Sequence, residues 1–376
     1  MSMQRIFNYG STLQAYSLRR ILEDLQPSTT VEFVDYRPGN PLIRDSTADI
    51  SGRGRVSRNL AKLREYSDVE TSPRNKLRFF RHKQSYASRY FPLVGITPEH
   101  NYDLNLDLQV IGSDEVFNCV QSNTNVGYAR DLFAHGSPAR QVISYAGSFG
   151  NTTLSKIEAA GIAEELSNDL QRFSSVSVRD NNSAVIVEAL TGHAPEIHLD
   201  PTLVYDLMGL ETRIPQGRQH ASKYVIVYGY SGRISPDENH AIRQYADRIG
   251  ARVLAFGGLQ SSADEFIDCD PFTLLAYFRD AEAVVTDTFH GTIFSILNEV
   301  PFATLVRPST SYGYGNEEKL GYLLETLHLS ERALQTPASL EQLLEMPIDF
   351  TGARRRRREE LDRTNLYLTQ ALSRLE

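Results

Sequence analysis

Short apolar runs rich in valine, isoleucine and aromatic residues recur along the chain: Leu108–Ile111, Gln141–Tyr145, Ser175–Val178, Glu196–Leu199, Tyr224–Tyr228, Arg252–Phe256, Ala283–Thr286 and Phe302–Val306. Each is long enough for a buried strand and too short for a buried helix. Between them, apolar residues return at helical spacing, which predicts helices over Ile157–Phe173, Asn182–Leu190, Asn239–Ile249, Phe272–Ala281, Gly321–Leu327 and Leu340–Leu344. Upstream, Leu13, Tyr16, Leu18, Ile21, Leu22 and Leu25 outline an amphipathic helix,. Met3–Phe7 is a barely sufficient strand before it, and Val31–Tyr36 a strand after it. Strand alternating with helix predicts an α/β protein built on doubly wound parallel sheets.

The pattern divides the chain. Leu210–Ser222 is polar, holds Pro215 and Gly217, and lacks periodicity. It is the expected linker between a domain over residues 1–210 and one over 220–345. A final helix over 352–376 is expected to pack back on the first domain. Residues 50–92 read as a basic helical insertion in the first domain, with Arg53, Arg55, Arg58, Lys62 and Arg64 followed by the basic helix Asn75–Tyr90. A charged helix of this kind is ordinarily a solvated face. The sharper expectation is contact with an anionic acceptor or with phospholipid headgroups. The run Arg354–Arg358 reads as a solvated face as well.

Chemistry-bearing residues cluster where strands end. Asn8-Tyr9-Gly10-Ser11 precedes the first helix, Gly112-Ser113-Asp114 follows the Leu108 strand, and Gly147-Ser148 follows the Gln141 strand. Arg179 and Asp200 close the next two strands, and Tyr230 follows the Tyr224 strand. In a parallel sheet these carboxyl ends lie on one edge, where ligands bind. Arg179 is the cation suited to a carboxylate or phosphate there; its plainer reading is a pairing with a neighbouring acid such as Asp180. The densest cluster is Ala283–Phe302, a strand–helix–strand unit. It puts Thr286, Asp287, Thr288 and His290 on one turn before the helix that Pro301 ends. Asp287 and Thr288 are expected to cap that helix. Its amino terminus at His290-Gly291-Thr292 favours anions. A histidine at such a turn either packs or acts, and position alone does not separate the two.

Composition narrows the function classes. The chain has 376 residues, a formal net charge of -8 and 41% hydrophobic residues, which suits two domains with ordinary cores,. A mildly acidic balance speaks against nucleic-acid binding. Two cysteines, Cys119 and Cys269, fit a reducing compartment better than a disulfide framework,. No apolar run is long enough to span a bilayer, and the amino terminus lacks a signal peptide's apolar core. A cytoplasmic protein with peripheral contact at the inner face of the membrane is expected. No metal-ligand cluster is visible, and nothing in the pattern specifies an oligomeric state.

Six segments, in this order, resemble the polysaccharide pyruvyl transferase family: NYGSTLQAYSL (Asn8–Leu18), VIGSDEVFN (Val110–Asn118), SYAGSFG (Ser144–Gly150), SVRD (Ser177–Asp180), LDPTLVYD (Leu199–Asp206) and VVTDTFHGTIFSI (Val284–Ile296). The chain is similar to a TD-x-FHG branch. The resemblance implies two Rossmann-like domains facing a cleft, a GT-B-like arrangement. It implies transfer of the enolpyruvyl group of phosphoenolpyruvate to sugar hydroxyls of a cell-surface polysaccharide or its lipid-linked precursor, as a ketal, with release of phosphate. It implies no cofactor and no metal, phosphoenolpyruvate being the donor substrate and a saccharide the acceptor. By motif, His290 corresponds to the family's functional histidine and Arg179 to its interdomain arginine. Thr288 stands where characterised members often carry arginine, which bears on the donor.

On this scheme His290 is the acid or the phosphate partner, since its ordinary pKa suits both. Arg179 binds carboxylate or phosphate, and Asp114 is the base. The expected catalytic set is His290, Arg179 and Asp114. The expected substrate-binding set is Asn8, Tyr9, Gly10, Ser11, Gly112, Ser113, Ser148, Tyr230, Thr288, Gly291 and Thr292. Two alternatives stay open: a GT-B glycosyltransferase using a nucleotide sugar, and a non-catalytic sugar-binding protein with a degenerate cleft.

Overall fold

The structure, a computed structural model, describes residues 1–43, 69–102, 104–121, 126–307 and 316–375. The basic positions Arg53, Arg55, Arg58, Lys62 and Arg64 lie outside the described residues. The described residues fall into two compact units. The first takes those within Met1–Ile50, Phe91–Tyr205 and Arg357–Glu376, the second those within Ser51–Tyr90 and Asp206–Arg356.

The first unit holds a four-stranded parallel sheet in the order β1 (Leu108–Asp114), β2 (Gln141–Gly147), β3 (Ser177–Val178) and β4 (Glu196–Ile197). Helix α1 (Tyr9–Leu25) starts at Asn8, whose side chain accepts the Gly10 N–H at 2.7 Å. Phe117, Phe133, Phe149, Ile157, Leu166 and Ile186 pack with Ile111 and Val178 as its core.

Three sequence expectations fail in this unit. Met3–Phe7 forms bends and turns, not a strand; the neighbour of β1 on that side is Met1, whose carbonyl accepts the Gly112 N–H at 2.9 Å. Val31–Tyr36 joins no sheet. Instead Asp35 is tied to residues around it, its N–H to the Asn101 carbonyl and its carboxylate to Arg5. The Ile157–Phe173 helix is two, α3 (Leu154–Ala159) and α4 (Ala163–Leu170), because Gly161 turns the chain with φ +68°,. Helix α5 (Asn181–Thr191) follows β3.

The second unit holds a five-stranded parallel sheet in the order β7-β6-β5-β8-β9: β5 (Tyr224–Gly229), β6 (Arg252–Gly257), β7 (Glu265–Phe266), β8 (Ala283–Thr286) and β9 (Phe302–Thr304). The central strands β5 and β8 are buried along their whole length, as continuous apolar runs in a parallel sheet should be. Helices α8 (Pro236–Arg248), α9 (Pro271–Arg279), α10 (Phe289–Leu297), α11 (Glu317–Thr326) and α12 (Leu340–Glu345) accompany it. The stretch before β5, with short helices α6 (Pro201–Val204) and α7 (Leu207–Leu210), passes into the second unit after Tyr205. There Arg279 donates to the Pro215 carbonyl at 2.8 Å, and Arg213 stacks 4.0 Å above Phe272.

Helix α2 (Pro73–Tyr90) corrects the expectation that the basic segment belongs to the first domain. It packs on β7 in the second unit: Phe79 meets Phe266 edge-on at 5.4 Å, and Asn75 accepts the Phe266 N–H at 3.0 Å. Buried His82 bonds Asp268 at 2.8 Å, as do Tyr90 and Arg89 at 2.6 Å. The last helix, α13 (Thr351–Ser373), meets expectation from Arg357 onward. In the first unit Tyr367 donates to the Ser144 carbonyl at 2.8 Å, and buried Glu360 accepts the Leu199 N–H. Among the described residues no helix is long and apolar enough to cross a membrane.

Candidate functional site

In the first unit the carboxyl ends of all four strands converge on Arg179. It follows β3 and is 4% exposed. Its guanidinium donates to Asp200 at 3.0 Å, with Asp114 3.7 Å away on the other side. Burial works against its charge, and the carboxylates Asp114, Asp200, Asp180 and Glu115 outweigh burial, so its pKa is raised,. Asp200 is fully buried and also takes the Thr202 hydroxyl at 2.6 Å and the Ser113 hydroxyl at 3.3 Å.

Of Arg179, Asp200 and Asp114, Asp114 is the one that solvent reaches most. Its side chain is 13% exposed, against 4% for Arg179 and 0% for Asp200. It sits at φ +81°, a costly conformation for a residue with a Cβ,. It is held there from both sides: Ser11 in the first turn of α1 donates to one oxygen at 2.8 Å, and the Glu115 N–H to the other at 2.9 Å. Ser148 donates to Asp180, the N-cap of α5, at 2.5 Å. A carboxylate that solvent reaches, ordered by a guanidinium and hydroxyls behind it, can take the proton of a sugar hydroxyl.

In the second unit the corresponding edge lies at the ends of β5 and β8. Thr288 caps α10, its hydroxyl accepting the Gly291 N–H at 3.0 Å. The Thr286 hydroxyl donates to the Tyr228 carbonyl and locks the turn to β5. Gly291 is required by crowding, since a Cβ there would stand 2.1 Å from the Thr286 hydroxyl. His290 is 7% exposed and lies between Phe289 and Phe294, with ring centroids at 5.5 and 6.1 Å.

Asp287, expected as a cap, does not cap. Its carboxyl is fully buried, and neither oxygen has a hydrogen-bond partner among the described residues. Burial pushes its pKa up to about 6, against the pull of Arg233, Arg307 and Lys319. Arg307 donates to Glu238 at 2.8 Å, and the Arg233 guanidinium lies 4.4 Å above the Tyr230 ring.

The sequence profile of the family described as Polysaccharide pyruvyl transferase matches residues 8–309. The chain belongs to the polysaccharide pyruvyl transferase family. The matched span begins at the N-cap of α1 and takes in both networks, from Ser11 and Asp114 through Arg179 and Asp200 to Asp287 and His290. Membership makes the protein a transferase. A comparison with curated proteins gives no match. Among solved structures, the chain is similar to an α,α-trehalose-phosphate synthase (UDP-forming) from Burkholderia xenovorans, at 11% identity and TM-score 0.39, covering 95% of this chain and 96% of that one. It is also similar to the ADP-heptose lps heptosyltransferase II of E. coli, at 13% identity and TM-score 0.29, covering 96% and 97%.

Within this pyruvyl transferase family member, the residues expected from sequence separate by accessibility. Asp114, Tyr230 and Thr288 present surface, as does the half-buried Asn8. Tyr9, Ser113, Ser148 and Thr292 are enclosed, and the last three are bonded within the protein. They shape the edge from behind. Gly10 and Ser11, in the first turn of α1, and Gly112, in β1, are buried. Asp200, Asp180, Asp287 and Arg233 belong to these networks and were not on the expected list. Asp200 was visible as a polar residue ending a strand. Arg233 gave no signal, because it lies beyond the turn after β5.

Proposed function

We propose that the protein moves the enolpyruvyl group of phosphoenolpyruvate onto two hydroxyls of a saccharide, forming a ketal and releasing phosphate. The acceptor class on this reading is a cell-surface polysaccharide or its lipid-linked precursor. Family membership gives the reaction class. The observation that favours the chemistry is the contrast between the two strand-end networks. One offers a solvent-reachable carboxylate among hydroxyls, suited to deprotonating a sugar. The other offers an imidazole at a helix amino terminus, on the turn of an Asp287 that Arg233 and Arg307 influence, suited to an anionic donor.

The two hydroxyl protons balance the reaction: one ends on the methylene carbon of the donor, converting it to methyl and leaving C2 electron-poor, and the other ends on the released phosphate. The first sugar hydroxyl adds to C2 as Asp114 takes its proton. The C2–O bond to phosphate then breaks, with His290 stabilising the leaving charge, and the second hydroxyl adds and loses its proton. The sum is donor plus diol giving ketal plus phosphate. Arg179 has a different part from the one its sequence position suggested. Bonded to Asp200 and facing Asp114, it orders the base and balances its charge.

The test is phosphate release from phosphoenolpyruvate with a panel of saccharide acceptors, with ketal formation followed by the pyruvyl methyl resonance. Wild-type protein should release phosphate only when an acceptor is present, and His290→Ala should abolish it. Near-normal turnover by that variant removes His290 from the mechanism. Stabilisation by a nucleotide sugar and not by phosphoenolpyruvate points to glycosyl transfer instead.

A further inference from the structure

Along α4 and its flanks the polar residues fall on one side. Glu164, Glu165, Asn168, Asp169 and Arg172 recur at the spacing that puts side chains on one face of a helix,. Arg130, from the 3₁₀ turn Arg130–Phe133, reaches the same face. Together these side chains line a groove of about 690 Å³ in the first unit, within the size range of small-molecule sites. Gly161 lies at one end of it. A Cβ built there would meet nothing within 4 Å, so that end is open.

Asp169 organises the groove from beneath. It is fully buried, and two guanidinium groups close on it. Arg130 donates from Nε at 3.1 Å and from Nη2 at 2.8 Å, and Arg172 from Nε at 3.3 Å. Both arginine side chains remain exposed. Each is therefore fixed through one edge while keeping surface, and a guanidinium ordered in advance loses little freedom on binding. Glu165 lies 3.6 Å from Arg130. Among the described residues the exposed Glu164 carboxylate and Asn168 amide make no hydrogen bond or ion pair.

The mixture of charges selects the ligand. Three carboxylates oppose an anion there, and two guanidinium groups oppose a cation. A hydroxyl both donates and accepts, so it suits a lining of donor-only and acceptor-only groups. Neighbouring hydroxyls of a sugar offer several such contacts at fixed spacing. At its Arg172 end the groove is also remote from the base. Ser174, two residues beyond Arg172, donates its N–H to the Val142 carbonyl near the start of β2. Asp114 pairs with Gly147 at the other end of that strand, about 16 Å further on.

We propose that this groove is a second saccharide site, which holds an uncharged stretch of the acceptor away from the hydroxyls that react. The inference rests on the acceptor being a polysaccharide or its precursor, as in the reading above. Each ketal adds a carboxylate to the glycan. The carboxylates of the groove oppose it, so unmodified chain is held in preference to product.

Calorimetric titration of the full chain at pH 7 with cellopentaose, mannopentaose, galactopentaose and pentagalacturonate tests this. Wild type should bind at least one neutral pentaose, and the uronate about fivefold or more weakly than that pentaose. Arg172→Gln should weaken the neutral pentaose by about tenfold and Asn168→Ala by about fivefold, as loss of a charged and of a neutral hydrogen bond should. Asn168 is exposed, so its variant carries the test if Arg172→Gln unfolds. Binding by both variants within about twofold of wild type overturns the proposal, being less than one hydrogen bond. So does a wild type that binds no neutral pentaose, or that binds the uronate as tightly. If the variants lose the pentaose while wild type releases no phosphate from phosphoenolpyruvate with any saccharide, the groove stands and the pyruvyl-transfer reading falls. If phosphate release proceeds and the variants bind as wild type does, the reading stands and the groove falls.

Discussion

Asp287 shows what a single residue contributes when it breaks the usual rule for buried polar groups. A buried carboxyl without hydrogen bonds is costly when charged. Its folded pKa of about 6 lies above the ordinary 3.8. Between those values the folded chain therefore holds a proton that the unfolded chain has released. Stability falls as pH rises from about 4 to about 6 and is not regained above that, a loss of up to roughly 3 kcal/mol. Asp287→Asn keeps the shape and removes the titration. It should be more stable than wild type by about 2 kcal/mol at pH 8 and nearly equal at pH 4. Urea unfolding at the two pH values measures this, and an unchanged pH dependence in the variant would count against a charged Asp287. An acid kept at such a cost beside a strand end is more readily understood as functional than as structural.

At the scale of elements, α2 is the clearest lesson. Its sequence carries Arg74, Lys76, Arg78, Arg81, Lys83 and Arg89 and no acidic residue, the composition of a surface arm. The structure makes it part of the second unit's core, because its minority apolar face meets β7. Phe79 is 1% exposed and packs with Phe266, Ala255 and Leu259. Phe79→Ala should cost about 3–4 kcal/mol of unfolding free energy. Arg74→Ala, on an exposed position, should change it by less than about 0.5 kcal/mol,. Equal effects of the two substitutions in denaturant titrations would mean that the helix is an appendage. The basic composition hid this because charge counts average over all faces, whereas one apolar stripe suffices to dock a helix.

For the whole molecule, the reading divides labour between two units, the acceptor side in the first and the donor side in the second. The division is testable without reference to their arrangement. Asp114→Asn should lower phosphate release by about a hundredfold or more, the usual loss on removing a general base. It should leave phosphoenolpyruvate binding within about threefold of wild type. His290→Ala should lose turnover and weaken the donor together. If Asp114→Asn loses donor affinity as severely as His290→Ala, the two functions are not separated in this way.

The sequence by itself determined the parallel α/β class and most strands, because a strand buried on both faces must be a short apolar run. It determined the family too, through segments such as Asn8–Leu18, Val110–Asn118, Ser177–Asp180 and Val284–Ile296, and it put His290, Arg179 and Asp114 forward as candidates. Only tertiary structure decided which of these groups are answered by others. Arg179 and Asp200 are 21 residues apart and meet at 3.0 Å, and Ser11 meets Asp114 across 103 residues. Periodicity reports the environment of a position. Long-range pairs are fixed by strand order, and neither the partner of Arg179 nor the nearness of Arg233 to Asp287 leaves a local mark.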